Sequence, residues 1–152
     1  MAALFRFEVY TPYRRVFSGE VEAVTLTLSD GEITVYANHS FFTAPVVTGF
    51  LKIKDKNGTW KSAFITEGFL EVKSHNTILM ADAAEWPDEI DRERALAAKQ
   101  KAEETLASSL FKFESGAAHA ALRRANFRLR VKDAADAALT PDGRTGARPP
   151  QG

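Results

Sequence analysis

The sequence predicts a β + α protein: an N-terminal antiparallel β-sandwich of about ten strands, followed by a two-helix antiparallel hairpin. Three observations carry this reading. Apolar and polar residues alternate through residues 1–86, the mark of half-buried strands. The same segment holds both tryptophans, all three tyrosines and eight of the eleven phenylalanines. After Pro87 the composition turns to Ala, Glu, Lys and Arg, and Asp88–Ser108 contains neither Gly nor Pro.

Phe5, Phe7 and Val9 alternate with Arg6 and Glu8, Val24, Leu26 and Leu28 with Thr25 and Thr27, and Leu51 and Ile53 with Lys52 and Lys54. Turn signals separate the runs: Ser29-Asp30-Gly31, Asn57-Gly58, Glu67-Gly68 and Ser74-His75-Asn76. Asn57-Gly58 between alternating runs predicts a two-residue hairpin turn with positive φ at both residues. Eight to ten short strands in about 86 residues indicate a sandwich or flattened barrel. Beyond Pro87, Asp88 is the expected cap of a helix starting at Glu89, with acidic residues in its first turn facing the positive end of the helix dipole. Its apolar stripe is Ala95, Ala98, Ala102 and Leu106. A second helix is expected from about Glu114 to about Asp136, with the stripe Ala118, Ala121, Leu122, Ala125 and Leu129. Ser108–Phe113 is a short connection, which predicts antiparallel neighbours. The domain reading is therefore 1–86 sandwich, 87–138 helical hairpin and 139–152 disordered tail. Thr140–Gly152 holds three Gly, three Pro and two Arg.

Composition excludes several classes of function. The 152 residues carry 20 basic and 20 acidic side chains, so the body of the protein is not a polyanion binder and no nucleic-acid partner is expected. Without cysteine there is no disulfide, thiolate metal site or cysteine nucleophile. His39, His75 and His119 are too dispersed for a histidine metal cage, and no metal site is expected. The longest apolar stretch, Phe41–Ile53, is interrupted by Thr43, Pro45, Thr48 and Gly49 and falls short of the roughly 18 residues of a membrane span. Met1–Phe5 opens no secretory signal. Nucleophile elbows, phosphate loops and zinc-protease motifs do not occur, so no catalytic residue is assigned.

Charge is uneven. Residues 1–86 carry eight basic and ten acidic groups, and residues 114–152 carry seven and four. The basic excess centres on Arg123, Arg124, Arg128, Arg130 and Lys132, either a solvated helix face or an attraction to an acidic partner. Asp91 and Arg94 stand three apart, as an ion pair or as ligands for a ribose or adenine and a phosphate; Arg124 and Arg128 are placed for phosphate one turn apart on the second helix. The alanine stripes bury little area. Each methyl stabilises by about 0.8 kcal/mol against about 2 for a leucine, so the hairpin reads either as a passive support or as a switch. One function class open on this reading is a soluble sandwich that binds a small ligand or carbohydrate, with the helices as a dimerisation element.

The sequence resembles the epsilon subunit of the F-type ATP synthase (delta in mitochondria) over roughly residues 4–132. The matching residues are Thr11-Pro12, Phe17-Ser18-Gly19, Gly31-Glu32-Ile33, His39, Gly49, Gly68-Phe69-Leu70-Glu71-Val72 and Ala81-Asp82-Ala83-Ala84-Glu85. Ile90-Asp91-Arg92-Glu93-Arg94-Ala95 fits the family's I/L-D-x-x-R-A motif at every fixed position. The chain departs from the family at Ala37-Asn38-His39-Ser40-Phe41, at Thr48, and at Glu67, where a second glycine is common.

The resemblance implies a non-catalytic rotor subunit that needs no cofactor. It implies a sandwich seated on the gamma subunit and the c-subunit ring, with the turn Asp30-Gly31-Glu32 facing the ring and His39 at the same end. It also implies a hairpin that extends into the catalytic alpha/beta head and brakes ATP hydrolysis, Arg123, Arg124, Arg128, Arg130 and Lys132 meeting the head. Glu85, Asp91, Arg94, Ala95, Arg124 and Arg128 match positions that hold a regulatory ATP in some members, and Lys101 stands where some have arginine. Membrane association would come only through the complex, at the cytoplasmic face of the bacterial inner membrane.

Overall fold

The computed structural model describes residues 2–108, 110 and 112–138, without the side chains of 112–114; the expected tail 139–152 lies outside the described residues. The chain divides between Trp86 and Pro87 into two compact units. The first contains strands β1 (Phe5–Tyr10), β2 (Arg15–Leu28), β3 (Gly31–Tyr36), β4 (Phe42–Asp55), β5 (Trp60–Ile65), β6 (Gly68–Val72), β7 (Asn76–Ala81) and β8 (Ala84–Glu85). The second contains a 3₁₀ turn (Pro87–Glu89), α1 (Arg92–Ser108) and α2 (Lys112–Ala138).

Eight strands stand where about ten were expected because β2 and β4, 14 residues each, are bent and not broken. Register shifts at Val21/Ala23 and Leu26/Leu28 let β2 pair with β1 through its first half and with β3 and β4 through its second. On β4, Phe42–Val46 pairs with β6 and Gly49–Lys54 with β5. Strands β1, β2, β4, β6 and β7 thereby pair in a closed ring, with β3 added on β2, and β5 and then β8 added on β4. A ring of five strands cannot alternate direction all the way round. One pair must run parallel, and that pair is β1–β7, Arg6–Tyr10 against Asn76–Met80. The other strand pairs among the described residues are antiparallel, as expected of the sandwich.

Alternation places Phe7, Val9, Val24, Leu26, Leu51, Ile53, Ile65, Leu70 and Leu79 inside the ring, each under 2% exposed. The Asn57-Gly58 hairpin forms, but only Gly58 has positive φ (81°). The loop is one residue longer than expected. The Gly58 N–H donates to the Asp55 carbonyl (2.9 Å), and the Asn57 and Thr59 N–H groups both donate to Asp55 Oδ1 (2.9 and 3.0 Å). Asp55 thus stabilises a type I turn, which Gly58 closes as a left-handed bulge.

The start of α1 also differs from expectation. The Ile90 N–H bonds back to the Pro87 carbonyl (3.2 Å), which closes Pro87–Glu89 as a 3₁₀ turn, so Asp88 caps nothing longer. Asp91 caps α1 instead: its Oδ1 accepts from the Arg94 N–H (3.1 Å) and its carbonyl from the Ala95 N–H (3.0 Å). Ile90 and Ala95, both buried, occupy the two positions of a hydrophobic staple around that cap. α1 and α2 pack on each other, and Arg92 pairs with Asp133, which sets them antiparallel. Ala95 and Ala102 on α1 and Ala118, Ala125 and Leu129 on α2 are buried, with Leu106, Ala121 and Leu122 half-buried. Ala98 is exposed, and Lys99 takes its expected place in the stripe. The spacing is 95, 99, 102, 106, the 4-3-4 step of a closely paired seam, and the stem of a lysine is apolar enough to lie along it.

Of the described glycines, Gly68 leaves the least room for a side chain. A Cβ there would overlap the Met80 carbonyl and lie 2.7 Å from Ala81 Cα on β7. Gly68→Ala is therefore expected to destabilise the protein by about 1–3 kcal/mol, since two paired strands must separate. A shifted urea midpoint at unchanged slope is the measurement, and an unchanged midpoint would show that β6 and β7 yield freely.

Candidate functional site

The expected site residues fall into separate groups. At one end of the sandwich Asp30, Gly31 and Glu32 form the β2–β3 turn and all are exposed. His39 follows β3, in the loop to β4. Its Nδ1 lies 3.0 Å from the Ser40 carbonyl, and its ring packs edge-on to Phe42 (5.0 Å between centroids). The preceding Asn38 has φ of 62°, and its N–H bonds to the Ser74 carbonyl (3.2 Å). The expectation that His39 shares an end with Asp30–Glu32 is corrected. The last four residues of β3, Ile33–Tyr36, run between them, about 13 Å of strand.

Glu85 lies on β8, paired with Phe64, within the first unit. The remaining nucleotide candidates belong to the second. Arg94 is exposed in the first turn of α1, while Ala95 is 4% exposed and faces the packing. Arg124 and Arg128 on α2 are half-buried. The Arg92–Asp133 pair sets the register of the two helices. At 1.5 Å per residue it places Arg128 about 5 Å, and Arg124 about 10 Å, along the axis from the level of Arg94. Asp91 does not pair with the Arg94 side chain as its spacing suggested. Its Oδ1 is committed to the Arg94 backbone N–H.

The five basic residues of α2 do not form one face. Arg123 and Arg130 are exposed, and Arg130 sits over the Phe127 ring (5.3 Å). Lys132 is half-buried, 3.8 Å from Asp136.

One feature escaped the sequence reading. The outer side of the sandwich carries a groove of about 720 Å³ among Tyr10, Pro12, Pro45, Phe69 and Met80, with Glu67 and Asp82 at its edge. The signal was present in the alternation. If Leu70 and Val72 face the core, Phe69 must face outward, where an aromatic is unusual.

The Asp91 cap predicts a graded outcome. Asp91→Ala should cost the helical unit about 1 kcal/mol, whereas Asp91→Asn, which caps equally well, should retain it. Thermal melting followed by circular dichroism separates them, and equal losses in both would show that the charge matters and the cap does not.

Comparison with known proteins agrees with this architecture. Residues 4–87 match the family described as ATP synthase, Delta/Epsilon chain, beta-sandwich domain, and residues 88–133 match ATP synthase, Delta/Epsilon chain, long alpha-helix domain. The ATP synthase epsilon chain of Caldanaerobacter subterraneus is 46% identical over 132 residues, covering 86% of this chain and 95% of its own. That of Caldicellulosiruptor bescii is 44% identical over 131 residues, with coverage of 86% and 95%. Among solved structures, a chain of the Euglena gracilis mitochondrial ATP synthase (OSCP/F1/c-ring) superposes with a TM-score of 0.66 at 20% identity, over 92% of this chain and 84% of that one. The chain belongs to the delta/epsilon family of ATP synthase chains, and its curated relatives are epsilon chains.

Proposed function

We propose that the sandwich couples rotation of the c-subunit ring to the gamma shaft, and that the hairpin restrains ATP hydrolysis in the alpha/beta head. The observation that carries the regulatory half is the contrast between the two units. The sandwich is filled with large side chains, whereas the buried residues of the two paired helices are mostly alanines, Ala95, Ala102, Ala118 and Ala125, beside Leu129 and Val131. Four buried methyls supply about 3 kcal/mol and Leu129 and Val131 about 2 kcal/mol each, a total of several kcal/mol that a large partner surface can outweigh. Extended, α2 alone spans about 40 Å for its 27 residues, enough to reach along a shaft. Arg123 and Arg130, both exposed, supply attraction to an acidic partner surface. No helix among the described residues is long and apolar enough to cross a membrane. The proposed location is peripheral, at the cytoplasmic face of a bacterial inner membrane, held there by the complex.

Regulatory ATP is the finer part of this reading. Arg94 and Arg124 have no carboxylate partner among the described residues, which supports a role for them toward a polyphosphate. Asp91 fits as the residue that holds the α1 terminus in shape, its Oδ1 being used by the cap. ATP at 100 times its dissociation constant would add about 2.7 kcal/mol to the folded hairpin, comparable to the alanine seam itself.

The experiment is ATP hydrolysis by the reconstituted head with full-length protein and with a fragment of residues 1–86. The fragment should still associate and the hydrolysis rate should rise several-fold. Equal rates would leave coupling as the sole role. For the nucleotide, calorimetry on the full chain should show heat with ATP, with Arg94→Ala and Arg124→Ala each weakening binding at least about tenfold, the loss of one charge-assisted bond. No heat at millimolar ATP would remove nucleotide from the scheme.

A further inference from the structure

Cross-strand register builds a row of side chains on the outer face of β1, β7, β6 and β4. Tyr10 stands opposite Met80, Met80 opposite Phe69, and Phe69 opposite Pro45. Phe69 is 56% and Met80 51% exposed, at the centre of a four-stranded surface, while their chain neighbours Leu70 and Leu79 are fully buried. This row is the floor of the groove of about 720 Å³. An exposed aromatic beside an adaptable methionine is the composition of a protein-docking surface.

The charges around the groove are not evenly compensated. Glu8 and Glu71, on the same face, are paired with Arg6 (3.2 Å) and Lys73 (2.9 Å). Glu67 and Asp82 lie at the groove edge, where the β5–β6 and β7–β8 turns meet through the Asp82 N–H and the Glu67 carbonyl (3.0 Å). Both are exposed, and neither carboxylate has a cationic partner among the described residues. Adjacent like charges repel, so folding alone gives no reason for this pair. Val46, in the groove wall, pairs with Leu28 at the end of β2, which brings the exposed Asp30 and Glu32 to the same end of the sandwich. Nucleic acid and anionic lipid are disfavoured by that concentration of negative charge.

We propose that the groove seats an apolar segment of a partner protein carrying a lysine or arginine, whose cation sits between Glu67 and Asp82. The assignment rests on the assembly reading above, in which the partner is the shaft. It deepens that reading by naming the pair that selects the partner's charge.

The test uses full-length protein and the gamma-containing catalytic head of the same synthase, with affinity measured at 50 and 300 mM salt. Phe69→Ser with Met80→Ser should weaken binding at least thirtyfold. Glu67→Gln with Asp82→Asn should weaken it five- to tenfold at low salt, with a flatter salt dependence. Glu71→Gln, on the same face but already paired, should change neither. The replaced positions are exposed, and unchanged circular dichroism would confirm folding. Equal affinity of the groove variants would overturn the groove assignment while leaving the assembly reading intact. Failure of the unmodified protein to bind would overturn the assembly reading and the assignment with it. A self-associated protein that the Phe69/Met80 pair of changes renders monomeric would identify the occupant as a second copy and overturn the proposal.

Discussion

The pairing of β2 with β4 is the constraint on which the sandwich depends. Each strand is long enough to serve two sheets, and their mutual ladder from Val21–Leu28 against Val46–Asp55 fixes where both must bend. Once the ladder is set, β1 and β6 lie on the first halves and β3 and β5 beside the second. Closure through β7 leaves few open edges, which removes most sites for unwanted strand addition. Parity then makes β1–β7 parallel. The two sheets bury a continuous apolar interior from Phe5 to Ala84, so the first unit owns its stability.

The helical unit is built on the opposite principle. Its seam is rich in alanine, with Leu129 the large buried residue, its end is tied by the Arg92–Asp133 pair, and both partners of that pair are about half exposed. Such an ion pair contributes less than about 1 kcal/mol. Local features carry a large share of the order: the 3₁₀ turn, the Asp91 cap and the staple positions Ile90 and Ala95. A unit held this way sits at the low-stability end of the molecule, where elements that rearrange during function are drawn from.

The same economy is visible at the sandwich surface. Glu8 and Glu71 are neutralised within their own strands or by a neighbour, whereas Glu67 and Asp82 are left beside an apolar groove. A strand face can be polar at no cost, so Phe69 and Met80 exposed at its centre reflect a surface shaped by contact with another molecule.

The sequence by itself determined the class of each half. Period-two alternation can bury only one face of a strand, and a run without Gly or Pro but rich in Ala, Glu and Lys is stable only as helix, so the change of grammar at Pro87 placed the boundary. The I/L-D-x-x-R-A segment and the arginines of α2 were legible as chemistry. Their roles were not, because the Asp91 Oδ1 serves the backbone and only the fold shows where a side-chain oxygen is spent. Tertiary structure also decided that two long strands do the work of four, that β1 and β7 run parallel, and that Lys99 and not Ala98 lies in the helix seam. It separated Asp30–Glu32 from His39 by the last four residues of β3, and it assembled the groove from residues as distant as Tyr10 and Asp82. Each of these depends on which strand lies beside which. Pairing is a property of the closed ring as a whole, and no window of sequence contains it.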